Sequence, residues 1–166
     1  MKIKKLQHLS KIFEEYDAFI IDLWGVMHNG IVLNTSAMNA VRELDEKGKR
    51  VVFLSNAPRP SKKVIEFLKK LKMEDRFLKN VLTSGEAAIN SLKKNKFGEK
   101  FYHLGPQRDN SLFYDIKNNK TTLEKCDFIL CTGLFDKEEE NLKYYEVLLK
   151  NFTKKKLVCT NPDLIV

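Results

Sequence analysis

The chain has 166 residues, 43% of them hydrophobic and 31% charged, with a formal net charge of +8. This is the composition of a soluble globular protein long enough for one good core or two small ones. No apolar run reaches the roughly 20 residues that span a bilayer. No apolar segment or cleavage site follows the basic start Met1-Lys2-Ile3-Lys4-Lys5, so the expectation is a cytoplasmic protein without membrane contact.

The positive charge is mostly lysine, since arginine occurs only at Arg42, Arg50, Arg59, Arg76 and Arg108. The lysines are spread over helical segments with acidic residues among them, the pattern of a solvated face. No nucleic-acid module signature is present, which argues against nucleic acid as a partner and leaves anionic small molecules as the class that the charge favours. Cys126, Cys131 and Cys159 lie in or beside apolar, strand-like settings. They read as free buried thiols rather than a disulfide framework or a zinc site.

In chain order, Leu6 to Glu15 reads as a helix, with Leu6, Leu9, Ile12 and Phe13 at helical spacing. Ala18 to Leu23 reads as a buried strand. Ser36 is the expected cap of a helix that runs to about Lys47 and stops at Gly48. Val51 to Leu54 is a second buried strand, ended by Ser55-Asn56. Pro58 and Pro60 punctuate the loop, and Ser61 is the expected cap of a helix with Val64, Ile65, Leu68 and Leu71 in one stripe. This β-α-β-α beat implies a parallel sheet. A second unit begins near Asn80. It holds a short strand Val81-Leu82 and a capping box with Thr83 as cap and Glu86 three residues on. Strands follow at 100–105 and 127–133, then a helix over 138–150 and a last strand over 157–160. Residues 107–125 show no readable period.

Two strand tips carry polar groups. Asp22 ends the first strand, and Gly25 lets the chain turn just beyond it. Ser55-Asn56 ends the second. In open α/β sheets the C-terminal tips are where ligands bind. A carboxylate there can attack phosphorus or hold a cation, and a hydroxyl with helix-side amides can hold an anion. Each tip alone also fits an ordinary turn. Two in tandem in a doubly wound pattern favour a phosphate-handling site.

These residues resemble the haloacid dehalogenase superfamily, and most closely its class IIA, whose members carry a large α/β cap after the second motif. Asp22-Leu23-Trp24-Gly25-Val26 resembles the first motif, with Asp22 at the nucleophile position. Leu54-Ser55-Asn56-Ala57-Pro58-Arg59 resembles the second, with Ser55 at the phosphoryl-binding position and Asn56 beside it. Thr83-Ser84-Gly85-Glu86 resembles the start of the cap, and Thr160-Asn161-Pro162-Asp163 the return from it. The resemblance implies an α/β fold: an incomplete doubly wound parallel core over 1–79, a smaller α/β cap over 80–162, and the start of a return to the core at 163–166. It implies a hydrolase of a small phosphate ester, acting through an aspartyl-phosphate on Asp22. It implies Mg²⁺ held by Asp22 and the carbonyl of Trp24, and a substrate that is a small phosphorylated metabolite.

The sequence departs from the family pattern in two places. Trp24 stands where the family has a second Asp as acid/base, and an indole cannot transfer that proton. A subgroup with Asp-x-Trp-Gly-Val followed by His resembles this arrangement. His28 is a candidate substitute proton carrier, and an ordinary loop histidine is the other reading. Asp163 is a candidate substrate-facing residue, with a plain Asn-Pro turn as the alternative. The family's lysine motif and acidic metal pair lie beyond the cap return, where this sequence ends. The expectation is therefore weak or absent activity for this chain alone. A non-catalytic phosphate-binding or regulatory module is the rival reading. The first strand's outer edge calls for self-association or a complementary C-terminal polypeptide.

Overall fold

The computed structural model describes Leu6, residues 8–136 and residues 140–161. Within them the elements run β1 (Ala18–Ile21), α1 (Thr35–Glu46), β2 (Arg50–Ser55), α2 (Ser61–Lys70), α3 (Asp75–Leu78) and β3 (Val81–Thr83). They continue with α4 (Ser84–Lys93), β4 (Phe101–Leu104), β5 (Phe128–Cys131), α5 (Leu142–Leu149) and β6 (Lys156–Cys159). The strands form two three-stranded sheets, ordered β1-β2-β3 and β4-β5-β6. The pairs β1/β2, β4/β5 and β5/β6 are parallel. This is the α/β architecture that the alternating pattern implies.

The chain divides into two compact units. One comprises the residues up to Ser55 together with Ile65–Leu82. The other comprises Asn56–Val64 together with the residues from Thr83 on.

In the first unit β2 alternates strictly: Val51, Phe53 and Ser55 are buried, while Val52 and Leu54 are exposed. Met38, Val41 and Leu44 of α1 are buried at helical spacing. Asn34, not Ser36, caps α1: its Oδ1 accepts the N–H of Ala37 at 3.2 Å. Its amide also donates to the carbonyl of Val26 at 3.2 Å. That second bond ties the cap to the preceding loop, and Ser36 sits inside the first turn instead. The expected helix over Leu6 to Glu15 is two separate 3₁₀ turns, Leu9–Lys11 and Phe13–Glu15. Ile12 breaks them at φ −131°, and neither turn has a side-chain cap or a buried residue. A short segment without a cap or a packed face has little to hold it helical.

The reading of 18–23 as a buried strand needs correction in two respects. β1 stops at Ile21, and its burial alternates, with Ile20 72% exposed. An apolar run does not distinguish a strand covered on both faces from one covered on a single face.

In the second unit Ile89, Leu92, Phe101, Leu112, Phe113, Phe128 and Leu130 form one cluster. Leu104, Leu123, Cys126 and Ile129 form another. The stretch 107–119 supplies Leu112 and Phe113 through consecutive 3₁₀ turns kinked at Phe113 and Ile116. It has no period because it is not one regular element. Among the described residues no helix is long and apolar enough to cross a membrane.

Candidate active site

β1 and β2 run in parallel register, with Ile21 opposite Phe53. Asp22 follows immediately, and Ser55 is the last residue of β2. The two predicted residues therefore emerge from the same ends of neighbouring strands, which lie roughly 5 Å apart in a sheet.

The local sequence explains how Asp22 is presented. Leu23 and Met27 are buried at 1% and 0% exposure and anchor the loop. The carbonyl of Leu23 accepts the N–H groups of Met27 at 2.8 Å and His28 at 3.1 Å. Gly25 adopts φ +78° and donates its N–H to the carbonyl of His28 at 2.8 Å. Only glycine takes that backbone conformation at little cost, so the tight turn depends on it. With Leu23 anchored, Asp22 and Trp24 on either side are exposed. Asp22 Oδ1 accepts the N–H of Leu23 at 2.7 Å, which fixes the carboxylate at the strand tip.

Ser55 is buried. Asn56 is exposed and groups with the second unit, so the pair at the first sheet's tips is Asp22 and Ser55. His28 is buried, with its ring edge-on to Phe67 at 5.3 Å between centroids. Its Nδ1 accepts the N–H of Gly30 at 3.1 Å, so the neutral ring carries its proton on Nε2. Burial lowers the affinity of His28 for a second proton, and the charge of Asp22 acts in the opposite sense. These contacts make His28 a post of the turn. Asp163 lies outside the described residues.

The expected metal ligands, the Asp22 carboxylate and the Trp24 carbonyl, lie two residues apart at the tip of β1. Exposed carboxylate and carbonyl oxygens suit a hard cation such as Mg²⁺. Among the described residues, however, no group of three or more His, Cys, Asp and Glu side chains is placed to hold a metal. One carboxylate and one carbonyl, with water and a substrate phosphate, is a ligand set that Mg²⁺ accepts.

The second unit contains polar contacts that the sequence pattern does not disclose. Thr83 Oγ1 accepts the N–H of Glu86 at 3.0 Å, as the capping box predicts, and donates to the carbonyl of Arg59 at 2.6 Å. Glu86 does not reach back to Thr83. It accepts the N–H of Ser61 at 3.1 Å, and Ser61 Oγ accepts the N–H of Thr83 at 3.2 Å. Ser61 is the first residue of α2 rather than its cap, and its hydroxyl serves the neighbouring connection. A Cβ on Gly85 would lie 2.5 Å from the Arg59 backbone, so the two connections pack in direct contact there. Asp109 is buried, and burial raises its proton affinity against the pull of Thr132 and Arg59. Its Oδ1 lies 3.7 Å from Arg59 Nε, too long for a hydrogen bond. His103 Nε2 meets Thr132 Oγ1 at 2.9 Å, and burial, then Lys120, pushes its pKa down to about 4. A groove of about 700 Å³ beside Tyr102, Lys120, Val147 and Phe152 is wide open and includes none of the predicted site residues.

A family model described as haloacid dehalogenase-like hydrolase matches residues 19–117. The structure is similar to that of a haloacid dehalogenase-like hydrolase from Brucella suis, with 27% identity and a TM-score of 0.81. That match covers 98% of this chain and 60% of the other. A 4-nitrophenylphosphatase from Thermotoga maritima shares the fold at 24% identity and TM-score 0.69, covering 92% and 57%. So does a glycerol phosphate phosphatase from Mycobacterium tuberculosis in complex with magnesium, at 19% identity and TM-score 0.63, covering 92% and 46%. The chain thus spans 60% or less of the length of these structures. No curated protein matches it.

Proposed function

The chain belongs to the haloacid dehalogenase-like hydrolase family, and from that premise we propose that it carries the nucleophile and phosphoryl-binding part of a phosphatase acting on a small phosphorylated metabolite. The observation that supports this most is the parallel placement of Asp22 and Ser55 at adjacent strand tips. In the proposed reaction a carboxylate oxygen of Asp22 attacks phosphorus, the ester oxygen leaves and is protonated, and water then hydrolyses the aspartyl-phosphate. Ser55 donates to the phosphoryl oxygens. Mg²⁺, when bound with the help of Asp22 and the Trp24 carbonyl, supplies charge neutralisation. The indole N–H of Trp24 is too weak an acid to protonate the leaving group, and the contacts of His28 favour a turn-holding role over an acid/base one.

Asp22 is the one carboxylate placed at these two strand tips among the described residues, so the proposal expects slow turnover from residues 1–166 tested by themselves. The rival reading is a module that binds phosphate without turnover, and Trp24 at the position where the family has an acid/base Asp favours it. Amide NMR titration with vanadate in the presence of Mg²⁺, alongside phosphate-ester assays, tests both. The proposal expects shifts at Leu23 and Ser55 that disappear in Asp22→Asn, with faint turnover lost in the same variant. Shifts without any turnover support the binding module. Shifts confined to other residues overturn both readings.

A further inference from the structure

The cysteines are far apart in sequence, but the second sheet brings two of them together. Cys131 of β5 and Cys159 of β6 are register partners on parallel strands. Directly paired residues project to the same face of a sheet. Strand spacing of about 4.8 Å falls inside the ~4.4–6.8 Å Cα separation over which disulfides form. Cys131 is half-buried against Ile129 and the α5 face, while Cys159 is exposed. Cys131 Sγ donates to the carbonyl of Gly133 at 3.7 Å and Cys159 Sγ to that of Asn161 at 3.2 Å, and burial, then the neighbouring Cys159, pushes the Cys131 thiol up to about 11. The strand ends are already held in register. The N–H and Oγ1 of Thr160 both donate to the carbonyl of Cys131, at 2.9 Å and 3.2 Å. Cys126 is not part of the pair; it is buried, and its Sγ donates to the carbonyl of Leu123 at 3.2 Å.

We propose that Cys131 and Cys159 form a dithiol site at the C-terminal ends of β5 and β6 that closes to an intramolecular disulfide by exchange with a small-molecule disulfide such as oxidised glutathione. The exposed Cys159 reacts first. Its thiolate attacks one sulfur of the glutathione disulfide, the S–S bond breaks, and one glutathione thiolate leaves and takes up a proton. Cys131 then gives its proton to solvent and attacks Cys159 Sγ, which expels the second glutathione thiolate. Two electrons pass from the protein to glutathione, and two glutathione thiols are the products. Closure needs side-chain rotation only, because the backbone hydrogen bonds already fix the strand ends. It ties together the residues immediately before Thr132 and Thr160, and Thr132 is the partner of His103.

The test incubates the native full chain with oxidised glutathione, quenches with acid, and reads intact mass and peptide linkage. The expected wild-type product has lost two hydrogens, carries no glutathione adduct and links Cys131 to Cys159. Cys126 is alkylated only after unfolding. Cys131→Ser stops at a single adduct on Cys159, and Cys159→Ser reacts at least about tenfold more slowly. A wild-type chain that stops at the Cys159 adduct, forms only links between chains, or links through Cys126 overturns the proposal. If circular dichroism shows either variant unfolded, the wild-type linkage map decides by itself.

Discussion

The two sheets have three strands each but differ in how their faces are covered. In the second sheet the central strand β5 is covered on both sides. Phe128 and Leu130 enter the cluster formed with α4 and the 3₁₀ stretch, while Ile129 enters the one packed by α5. In the first sheet the described residues cover one face. Ile20, Val52, Leu54 and Leu82 are exposed by 72%, 38%, 44% and 41%. Parallel sheets in α/β proteins normally have both faces covered. The second unit therefore meets the rule from its own residues, while in the first the described residues leave an apolar face exposed and β1 at the end of the sheet. The candidate nucleophile sits at the end of that edge strand, so the chemistry and the uncovered surface belong to the same element.

Substitutions should separate the two sheets sharply. Phe128→Ala should destabilise the second unit by about 3–5 kcal/mol, the cost of a large cavity in a packed core. Ile20→Ala should cost less than about 0.5 kcal/mol, as for a surface change. Urea unfolding followed by far-UV circular dichroism, with Trp24 fluorescence reporting the first unit, measures both. Equal effects would mean that the face of β1 is covered in solution.

Gly85→Ala comes next. The added Cβ would stand 2.5 Å from the Arg59 backbone, which cannot yield as a side-chain tip can. A loss of about 1–3 kcal/mol is expected for such overpacking. Unfolding with unchanged midpoint would show that the two connections separate freely.

A pH effect is expected from the second sheet. His103 has a folded pKa of about 4, below its ordinary 6.5, because burial disfavours the charged ring. Between those values the unfolded chain binds the extra proton and the folded one does not. Stability should therefore rise with pH across about 4 to 6.5 and fall as pH drops through that window. His103→Gln should flatten this part of the curve, as read from urea midpoints at several pH values.

The smallest effect on folding, though not on behaviour, concerns the open face. The chain should self-associate as concentration rises, because an apolar edge and face offer pairing and burial to a second copy. Ile20→Lys with Leu54→Lys should leave stability almost unchanged and return a monomer by light scattering. A wild-type monomer at high concentration, with the Ile20 and Ile21 amides protected from exchange, would break the comparison.

Much of the fold was legible because periodicity survives folding. The apolar stripe of α2 and the strands at Val51, Phe101 and Phe128 announce themselves through local pattern, and Gly48 marks the end of α1. Asp22 and Ser55 were legible as polar residues ending apolar strands. Boundaries were less so, and the cap of α1 shows why. Asn34 and Ser36 are about equal as caps, and the bond from Asn34 to Val26 selects one of them. The helix read over Leu6 to Glu15 failed for a related reason, since spacing without a surface to pack against does not make a helix.

The sequence by itself determined the α/β alternation, the two strand tips that carry Asp22 and Ser55, and the Gly25 turn beyond them. These depend on local spacing and on backbone conformations that few residues adopt. Only the tertiary structure decided which face of each sheet is covered, where Glu86 and Ser61 spend their hydrogen bonds, and that Cys131 stands opposite Cys159. Those outcomes depend on strand order and register between distant segments, and a one-dimensional pattern carries the period of each strand but not its partner.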